Sequence, residues 1–453
     1  MFKALKRDRA FYGYLLRLTG PIALQNLITF SLGLIDTLMV SQLGNDEMAA
    51  VTAANVPVFL LISIVFGVQS GVGILISQYW GKRDHQNISR AIGVAAGLGV
   101  ALALVIALAL FLWPVQIMDL MSNKHHLSLL GAPYLRVIGF SYVFNMLSSI
   151  YVSAQRSVEN ASFGMKLFGM STVLNTGMNY LLIFGKCGFP MLGVEGAAIA
   201  TVISRYVELA IVAGWTHGHK ARNAFIVGAY RSMYIPGKLL RSITIKGMPL
   251  LVNEFLWSSG MAVLNQCYST CGLDVVPAMN ICSTLFNLGS VVYLSMGNSV
   301  GIIMGQMLGA GHSEEDVRDT NRKLIAVSIA SGVMFGGLMA AVSEAFPGIY
   351  NTTDAVRHLA AQLIWISAVM MPFGSYLNAT YFTLRSGGQT FVTFLFDSCF
   401  MWVFCVPLAF CLSRFTNLPI LPLYAICQAT DFIKCVIGTV MLKQGKWIQN
   451  LTV

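Results

Sequence analysis

Three acidic side chains lie inside long apolar stretches with no basic residue close to them in sequence, namely Asp36, Glu254 and Asp397. A charged group at the centre of a bilayer costs about 2.5–3.5 kcal/mol, so such a residue needs water, an ion or a proton beside it. A carboxyl group in this setting can bind a cation or can itself carry a proton. These residue types indicate reversible ion binding, and no catalytic residue is predicted.

Two asparagines complete the pattern around Asp36. Asn175 and Asn179 are four positions apart, so they share one face of a helix. Asp36 falls in the outer half of the first predicted span, and the two asparagines fall in the outer half of the fifth. One carboxylate and two amide oxygens suit Na⁺, whereas the carboxyl alone suits H⁺. A protonated acid bonded to a backbone carbonyl is the structural alternative.

The second half of the chain has acids nearer the cytoplasmic side. Glu254 lies early in the seventh predicted span, and Asp397 lies early in the eleventh. Asn253, Asn265 and Gln266 add amide groups to this region, and Glu254, Asp397, Asn265 and Gln25 are candidates for contact with an organic cation in a vestibule. A second coupling-ion site and simple exposure of these acids to water both remain open as interpretations.

Two further pairs of opposite charge stand three positions apart within predicted spans. They are Arg205 with Glu208 and Asp431 with Lys434. Residues at this spacing share a helix face, so each acid can neutralise its neighbouring base. We predict two structural ion pairs, each on the last span of one half of the chain.

These side chains require membrane-spanning helices to position them. Hydrophobic residues make up 56% of the chain and charged residues only 11%, whereas soluble domains contain about 25% charged residues. Apolar stretches near the 20 residues that span a bilayer as a helix recur throughout. The predicted fold is an all-α membrane protein with twelve spans, near 15–40, 51–78, 89–113, 130–154, 163–184, 196–216, 246–271, 280–307, 322–346, 358–383, 391–412 and 420–443.

The sequence also contains an internal repeat. Pro21 recurs as Pro249, a spacing of 228 positions (21 to 249), and the run 72–74 recurs as 300–302 at the same spacing. Such duplication is typical of secondary transporters, which bind substrate between their repeats. We predict two six-helix lobes, 1–216 and 246–453, related by a pseudo-two-fold along the membrane normal. A basic cytoplasmic linker, 217–245, joins them, and its end can form either a short surface helix or a plain connector.

The basic residues predict the orientation. Lys and Arg concentrate in the N-terminal tail and the even-numbered links, which places both termini in the cytoplasm. The net charge of +10 then reflects contact with anionic lipid headgroups, and no nucleic acid partner is predicted. We expect an integral protein of the plasma membrane, which is the inner membrane in a bacterium. Because two lobes already complete a transport pathway, a monomer suffices.

Enzymatic and cofactor motifs are absent from the sequence. His125 and His126 are adjacent, and His217 and His219 flank a glycine, but none belongs to an HExxH motif, and no GxSxG occurs. The nine cysteines show no CxxC or metal-ligand spacing. The chain is therefore not expected to be an enzyme or to hold a cofactor or a metal, apart from Na⁺ at Asp36, Asn175 and Asn179.

The chain resembles the MATE family of multidrug and toxic compound extrusion transporters. The matching stretches include "GPIALQNL", "QSGVGILISQYWGKRD", "VLNTGMNYLLIFG", "LGVEGAAIATVISR" and "LRSGGQT". The resemblance implies export of organic cations or other amphiphiles in exchange for inward Na⁺ or H⁺. It matches Asp36 and Asn175 to a cation site in the amino-terminal lobe, and it puts Asn179 where many relatives have a second aspartate.

The carboxyl-terminal lobe departs from the family pattern. Glu254 comes only five residues after Pro249, short of the glutamate of a sodium-coupled branch, and the tenth span has no acid. The resemblance therefore favours Asp36 as the coupling residue. The alternative hypothesis is a flippase for lipid-linked substrates, which needs a basic cavity, whereas the unpaired acids here oppose one.

Overall fold

The computed structural model describes residues 9–121, 125–221, 223–227, 237–416 and 418–452. Within those ranges the chain is helical and contains no strand. The α-helices are α1 (Arg9–Ser41), α2 (Asn45–Gly81), α3 (His85–Leu112), α4 (Pro114–Met121), α5 (His125–Ser157), α6 (Ala161–Phe184), α7 (Gly193–Gly218), α8 (Gly237–Ser269), α9 (Val275–Ala310), α10 (Glu314–Val342), α11 (Asp354–Ser386), α12 (Thr390–Phe394), α13 (Val406–Phe415) and α14 (Ile420–Gln444).

Twelve of these helical segments span the membrane, as the sequence predicts. Ten are long and apolar enough by length and composition alone, and one of them is the continuous helix Thr390–Phe415, which contains α12 and α13. The other two are α2 and α8, with 37 and 33 residues. A helix rises 1.5 Å per residue, so both exceed the roughly 30 Å hydrocarbon thickness. The all-α membrane fold is confirmed.

The internal repeat reappears in the helix boundaries. Helices α1 and α8 each contain 33 residues, begin 228 positions apart (9 to 237) and have Pro21 and Pro249 at corresponding interior positions. Helices α5 and α11 also have 33 residues each, and both carry an arginine in the last turn. Proline removes one helical hydrogen bond, so the first helix of each half lacks a hydrogen bond at the same position.

The chain forms two compact units. One comprises Leu24–Gly247, in which α5 packs against α2, α3 and α7. The other comprises the described residues up to Ala23 together with Met248–Val453, and in it α11 packs against α9, α10 and α14. The fourth spanning helix of each repeat is thus the central one. The boundaries of the predicted lobes, 1–216 and 246–453, stay a prediction.

The region around the predicted linker is more helical than expected. Helix α7 continues to Gly218, and α8 begins at Gly237 and runs without a break into the seventh span. Residues 228–236 lie outside the described ranges, and the predicted separate surface helix falls partly on them. From Gly237 onward the segment belongs to the spanning helix, so a distinct surface helix there is wrong.

Close packing of α6 against α7 brings the polar faces of both helices together. A Cβ atom at Gly196 would lie 2.6 Å from the carbonyl oxygen of Leu182, a distance that no ordinary contact allows. Glycine therefore permits an approach that any other residue would block. This contact lies one turn beyond Asn179 on α6, and it holds that residue beside α7.

Candidate functional site

The structure brings Asp36, Asn175 and Asn179 together in the Leu24–Gly247 unit. The amide Nδ2 of Asn179 donates to Asp36 Oδ1 at 2.7 Å and to Asn175 Oδ1 at 3.0 Å. Both asparagines are almost fully buried, whereas Asp36 is partly exposed. Helix α1 thus supplies the carboxylate and α6 supplies the amides, and we call these three residues the Asp36 cluster.

Two oxygen atoms of the Asp36 cluster have no hydrogen-bond donor within the described part of the chain. One is the buried Oδ1 of Asn179, and the other is Oδ2 of Asp36. A buried acceptor without a donor costs about 1–3 kcal/mol, so its presence beside a carboxylate indicates room for a positively charged occupant. The cluster can bind a cation through these oxygens, or a proton on Asp36.

The Asp36 cluster continues into α7. Asn175 Nδ2 donates to the hydroxyl of Thr201 at 3.4 Å, and Thr201 in turn bonds its own helix at the carbonyl of Ala197. A continuous series of side-chain hydrogen bonds therefore connects the three helices α1, α6 and α7. Asp36 is thus connected through hydrogen bonds to both other helices.

One turn further along α7 is the predicted pair Arg205 and Glu208. Arg205 NH1 donates to Glu208 Oε2 at 2.7 Å, and the Glu208 side chain has no exposed surface. Ser171 donates to the same oxygen at 3.1 Å, and Ser148 donates to the other. Three polar groups thus donate to one buried carboxylate, which agrees with the predicted structural role.

Gln25 lies in the interior of the protein. Its side chain is 95% buried, and its Oε1 accepts from Arg156 NH2 at 3.3 Å. Arg156 lies in the last turn of α5, so the contact ties α1 to the central helix of its unit. The buried amide therefore has a partner within the protein, and the expected contact of Gln25 with substrate stays a prediction.

A second polar cluster forms in the unit that contains Met248–Val453. Asn253 of α8, 1% exposed, donates to Asp397 Oδ2 and to the hydroxyl of Tyr381, each at 3.3 Å. Ser398 donates to both the backbone and the side-chain oxygen of Asn253 at 2.7 Å. Asn253 therefore joins three spanning segments of this unit.

Lys434 alters the expected pairing in this region. Its ammonium lies 3.7 Å from Asp397 Oδ1 and 3.9 Å from Asp431 Oδ1. The predicted pair of Asp431 and Lys434 is present, but Lys434 is shared, and the interpretation of Asp397 as an unpaired acid is wrong. The two acids reach the lysine because the eleventh span and α14 present them from opposite sides.

Glu254 and Asn265 occupy different environments. Glu254 directly follows Asn253 on α8, so it stands next to the second cluster in the chain. Asn265 is exposed and lies eleven residues further along α8, about 16 Å along the axis. The expectation that Asn265 adds an amide to the vestibule stays a prediction.

Asp397 lies on irregular helix. The eleventh span is π-helical over Leu395–Cys399 and Met401–Cys405, between α12 and α13. A π-turn inserts an extra residue and turns the following side chains to another face, and such turns are frequent at functional sites. No periodicity in the sequence marks this insertion, so the helix face on which Asp397 lies could not be derived from residue spacing.

Sequence reasoning placed Asn253 among the amides near Glu254 and Asp397, but it missed Arg385, whose NH1 donates to the hydroxyl of Tyr381 at 3.4 Å. Arg385 stands 229 positions after Arg156. Both arginines lie in the last turn of a 33-residue helix, so alignment of the two repeats could have singled out Arg385.

Known proteins similar to this chain agree on one family. The MatE family model matches twice, over residues 21–181 and 249–411, and together the matches cover more than half of the chain. The two matches begin at Pro21 and Pro249, so they also identify the internal repeat.

Curated relatives have similar lengths. The "Probable multidrug resistance protein YoeA" of Bacillus subtilis is 26% identical over 88% of this chain and 87% of its own length. The "Probable multidrug resistance protein NorM" of Idiomarina loihiensis is 24% identical over 84% and 82%.

Solved structures show the same fold. An outward-facing multidrug resistance MATE family transporter superposes with a TM-score of 0.85 at 18% identity, covering 98% of each chain. A MATE structure in the straight conformation gives 0.86 at 19% identity, covering 96% of this chain and 95% of the other.

Proposed function

Because the chain belongs to the MatE family, it is a membrane transporter, and we propose that it exports organic cations or related amphiphiles in exchange for inward H⁺ or Na⁺. Its mechanism is alternating access driven by the ion gradient. The observation that carries the choice of coupling residue is the Asp36 cluster, where a partly exposed carboxylate adjoins an amide oxygen that lacks a donor. It requires neither a cofactor nor covalent chemistry.

Asp36 is the proposed binding residue for the coupling ion, with Asn175 and Asn179 as its partners. An ion at Asp36 neutralises the carboxylate and weakens its hydrogen bond with the Asn179 amide. The hydrogen bonds from Asn179 to Asn175 and from Asn175 to Thr201 then change as well. The helices α1, α6 and α7 then favour a different arrangement from that of the empty site. An ion shifts a conformational equilibrium only by its difference in affinity for the two states. This series of hydrogen bonds provides such a difference in affinity.

The location proposed for the protein is the plasma membrane, which is the inner membrane in a bacterium, with both termini in the cytoplasm. The distribution of Lys and Arg over the even-numbered links supports this orientation. Lipid headgroups are the proposed partners of these basic links, and a monomer is the proposed functional unit because one chain contains both repeats.

The test is efflux of an ethidium-like cation from proteoliposomes under a pure H⁺ gradient and then under a pure Na⁺ gradient. We expect one gradient to drive transport and Asp36→Asn to reduce it to the rate without a gradient. Asp119→Asn is the matched control, since Asp119 lies in the short helix α4, outside the spanning segments.

Two results would oppose the proposal. If neither gradient moves an organic cation, polyspecific cation export fails. If Asp36→Asn transports at the wild-type rate with unchanged ion dependence, export can stand but Asp36 is not the coupling residue.

A further inference from the structure

The cation at the centre of the second polar cluster is a side chain of the protein itself. Lys434 is 91% buried, and its ammonium lies between the carboxylates of Asp397 and Asp431 and 5.3 Å from the ring centre of Phe400. Carboxylates and an aromatic face together are how proteins recognise organic ammonium groups. We call these four residues the Lys434 cluster.

The lysine fits this position loosely. Its distances of 3.7 and 3.9 Å to the two carboxylates exceed those of ordinary hydrogen bonds. A buried ammonium has three donors, and contacts at these distances satisfy them poorly. The contrast is Arg205, whose guanidinium meets Glu208 at 2.7 Å. A loose internal cation is easier to displace than a tightly bonded one.

The charges of the surrounding spanning segments do not balance. Two carboxylates, those of Asp397 and Asp431, lie within 4 Å of a single ammonium, that of Lys434, in the described part of this unit. In a medium of low dielectric constant an uncompensated charge is unfavourable, so one further positive charge is stabilised here. The imbalance favours a cationic occupant over an anionic one.

The two carboxylates are also reachable. The side chains of Asp397 and Asp431 are 26% and 28% exposed, while Lys434 is 9% exposed. Asp431 lies 11 residues from the start of α14 (420 to 431) and 13 from its end (431 to 444), or about 16 and 20 Å along the axis, so its exposed surface is near the middle of this spanning helix. A carboxylate exposed to hydrocarbon at that depth is costly, which indicates that this surface faces water or a ligand.

The geometry points to a binding site for the ammonium group of an organic cation at Asp397, Asp431 and Phe400, with Lys434 as a tethered competitor. An incoming primary or secondary ammonium displaces the Lys434 ammonium from one or both carboxylates and contacts the ring. The irregular π-helix beneath Asp397 provides backbone that can adjust to ligands of different size. The inference extends the proposed export of organic cations, and it assigns a second site independent of Asp36.

The test is calorimetric titration of the purified, detergent-solubilised full chain with 2-phenylethylammonium, with uncharged 2-phenylethanol as the matched ligand. Lys434→Met removes the competitor, so we expect about tenfold tighter binding of the ammonium and no change for the alcohol. Asp397→Asn and Asp431→Asn each remove an acceptor and should weaken ammonium binding about tenfold. Lys434→Arg retains the charge and should stay near the wild type.

The control is Asp354→Asn, which removes the acid of an exposed pair with Arg357 three positions along α11 and should bind like the wild type. Weaker ammonium binding in Lys434→Met would overturn the competitor role. Unchanged binding in both aspartate variants would overturn the site itself, even if gradient-driven transport is observed. Conversely, ammonium binding that responds as expected stands even if proteoliposomes show no transport, so the two proposals fail separately.

Discussion

The last spanning helix of each repeat carries a basic residue that is mostly buried, and the two bases are paired with acids in different ways. Arg205 of α7 and Lys434 of α14 stand 229 positions apart (205 to 434), so the repeat places them in corresponding positions. Arg205 has one acid, Glu208, with two serines completing the acceptor's hydrogen bonds. Lys434 is shared between two acids at longer distance.

The difference follows from where the acid stands relative to the base. Glu208 follows Arg205 by three positions, whereas Asp431 precedes Lys434 by three, and Asp397 approaches from another helix. A base with one dedicated, fully bonded acid stabilises the fold. A base between two incompletely bonded acids can exchange partners. Duplication preserved the positive charge in each half, and the placement of the acids gave it two different roles.

The largest effect should come from breaking the tight pair. Glu208→Gln leaves Arg205 without its counter-ion in a mostly buried position, and removing one partner of such a pair costs about 3 kcal/mol. The corresponding change in the loose pair, Asp431→Asn, leaves Asp397 beside Lys434 and should cost about 1 kcal/mol or less. Thermal unfolding in detergent compares the two variants, and equal losses would remove the distinction between tight and loose pairs.

The next largest loss of stability should come from the amide residue that stands four positions after the repeated proline of each half. Asn253→Ala removes hydrogen bonds to Asp397, Tyr381 and Ser398, so we expect a loss of about 2 kcal/mol. Gln25→Ala, its counterpart in the first repeat, removes one bond to Arg156 and should cost about half as much. The same unfolding measurement gives the order, and a larger loss for Gln25→Ala would contradict the contact pattern.

Adding an acid to the Asp36 cluster should make it resemble the two-acid cluster of the other half. Asn179→Asp puts a second carboxylate beside Asp36, and two like charges at this distance bind a cation more tightly than one. We expect the concentration of coupling ion that gives half-maximal transport to fall about tenfold. Asn179→Leu, which adds no charge, is the control for size, and a similar fall there would exclude the electrostatic explanation.

The smallest effect should come from Asn265→Ala. Asn265 is exposed and lies about 16 Å along α8 from Glu254, so it belongs to neither charged cluster. Surface substitutions away from special features usually change stability by less than about 0.5 kcal/mol. Ammonium titration and thermal unfolding should both match the wild type, and weakened ammonium binding would extend the Lys434 cluster to the far end of the helix.

Much of the fold could be predicted because hydrophobic length and the repeat are properties of sequence alone. The twelve spans follow from apolar runs, and the Asp36 cluster follows from depth plus the four-residue spacing of Asn175 and Asn179. That spacing fixes a shared helix face without knowledge of packing. The ion pair of Arg205 and Glu208 could be predicted for the same reason, since both residues belong to one helix.

Contacts between helices were harder to predict. Which carboxylate reaches Lys434 depends on the rotation of the eleventh span, and the π-helix before α13 changes that rotation by an amount that no sequence spacing records. The contact of Gln25 with Arg156 could not be derived either, because the two residues lie in different helices more than one hundred positions apart.

The division of α1 has a consequence for how the two repeats are inherited. The residues of α1 as far as Ala23 cluster with Met248–Val453, and Thr19 donates to Ser299 of α9 at 2.8 Å. If the gene were divided between the repeats, the first fragment would therefore contain residues of α1 that belong to the compact unit of the second fragment. The two duplicated halves have become unequal parts of one chain, and neither can be separated as a copy of its single-repeat ancestor.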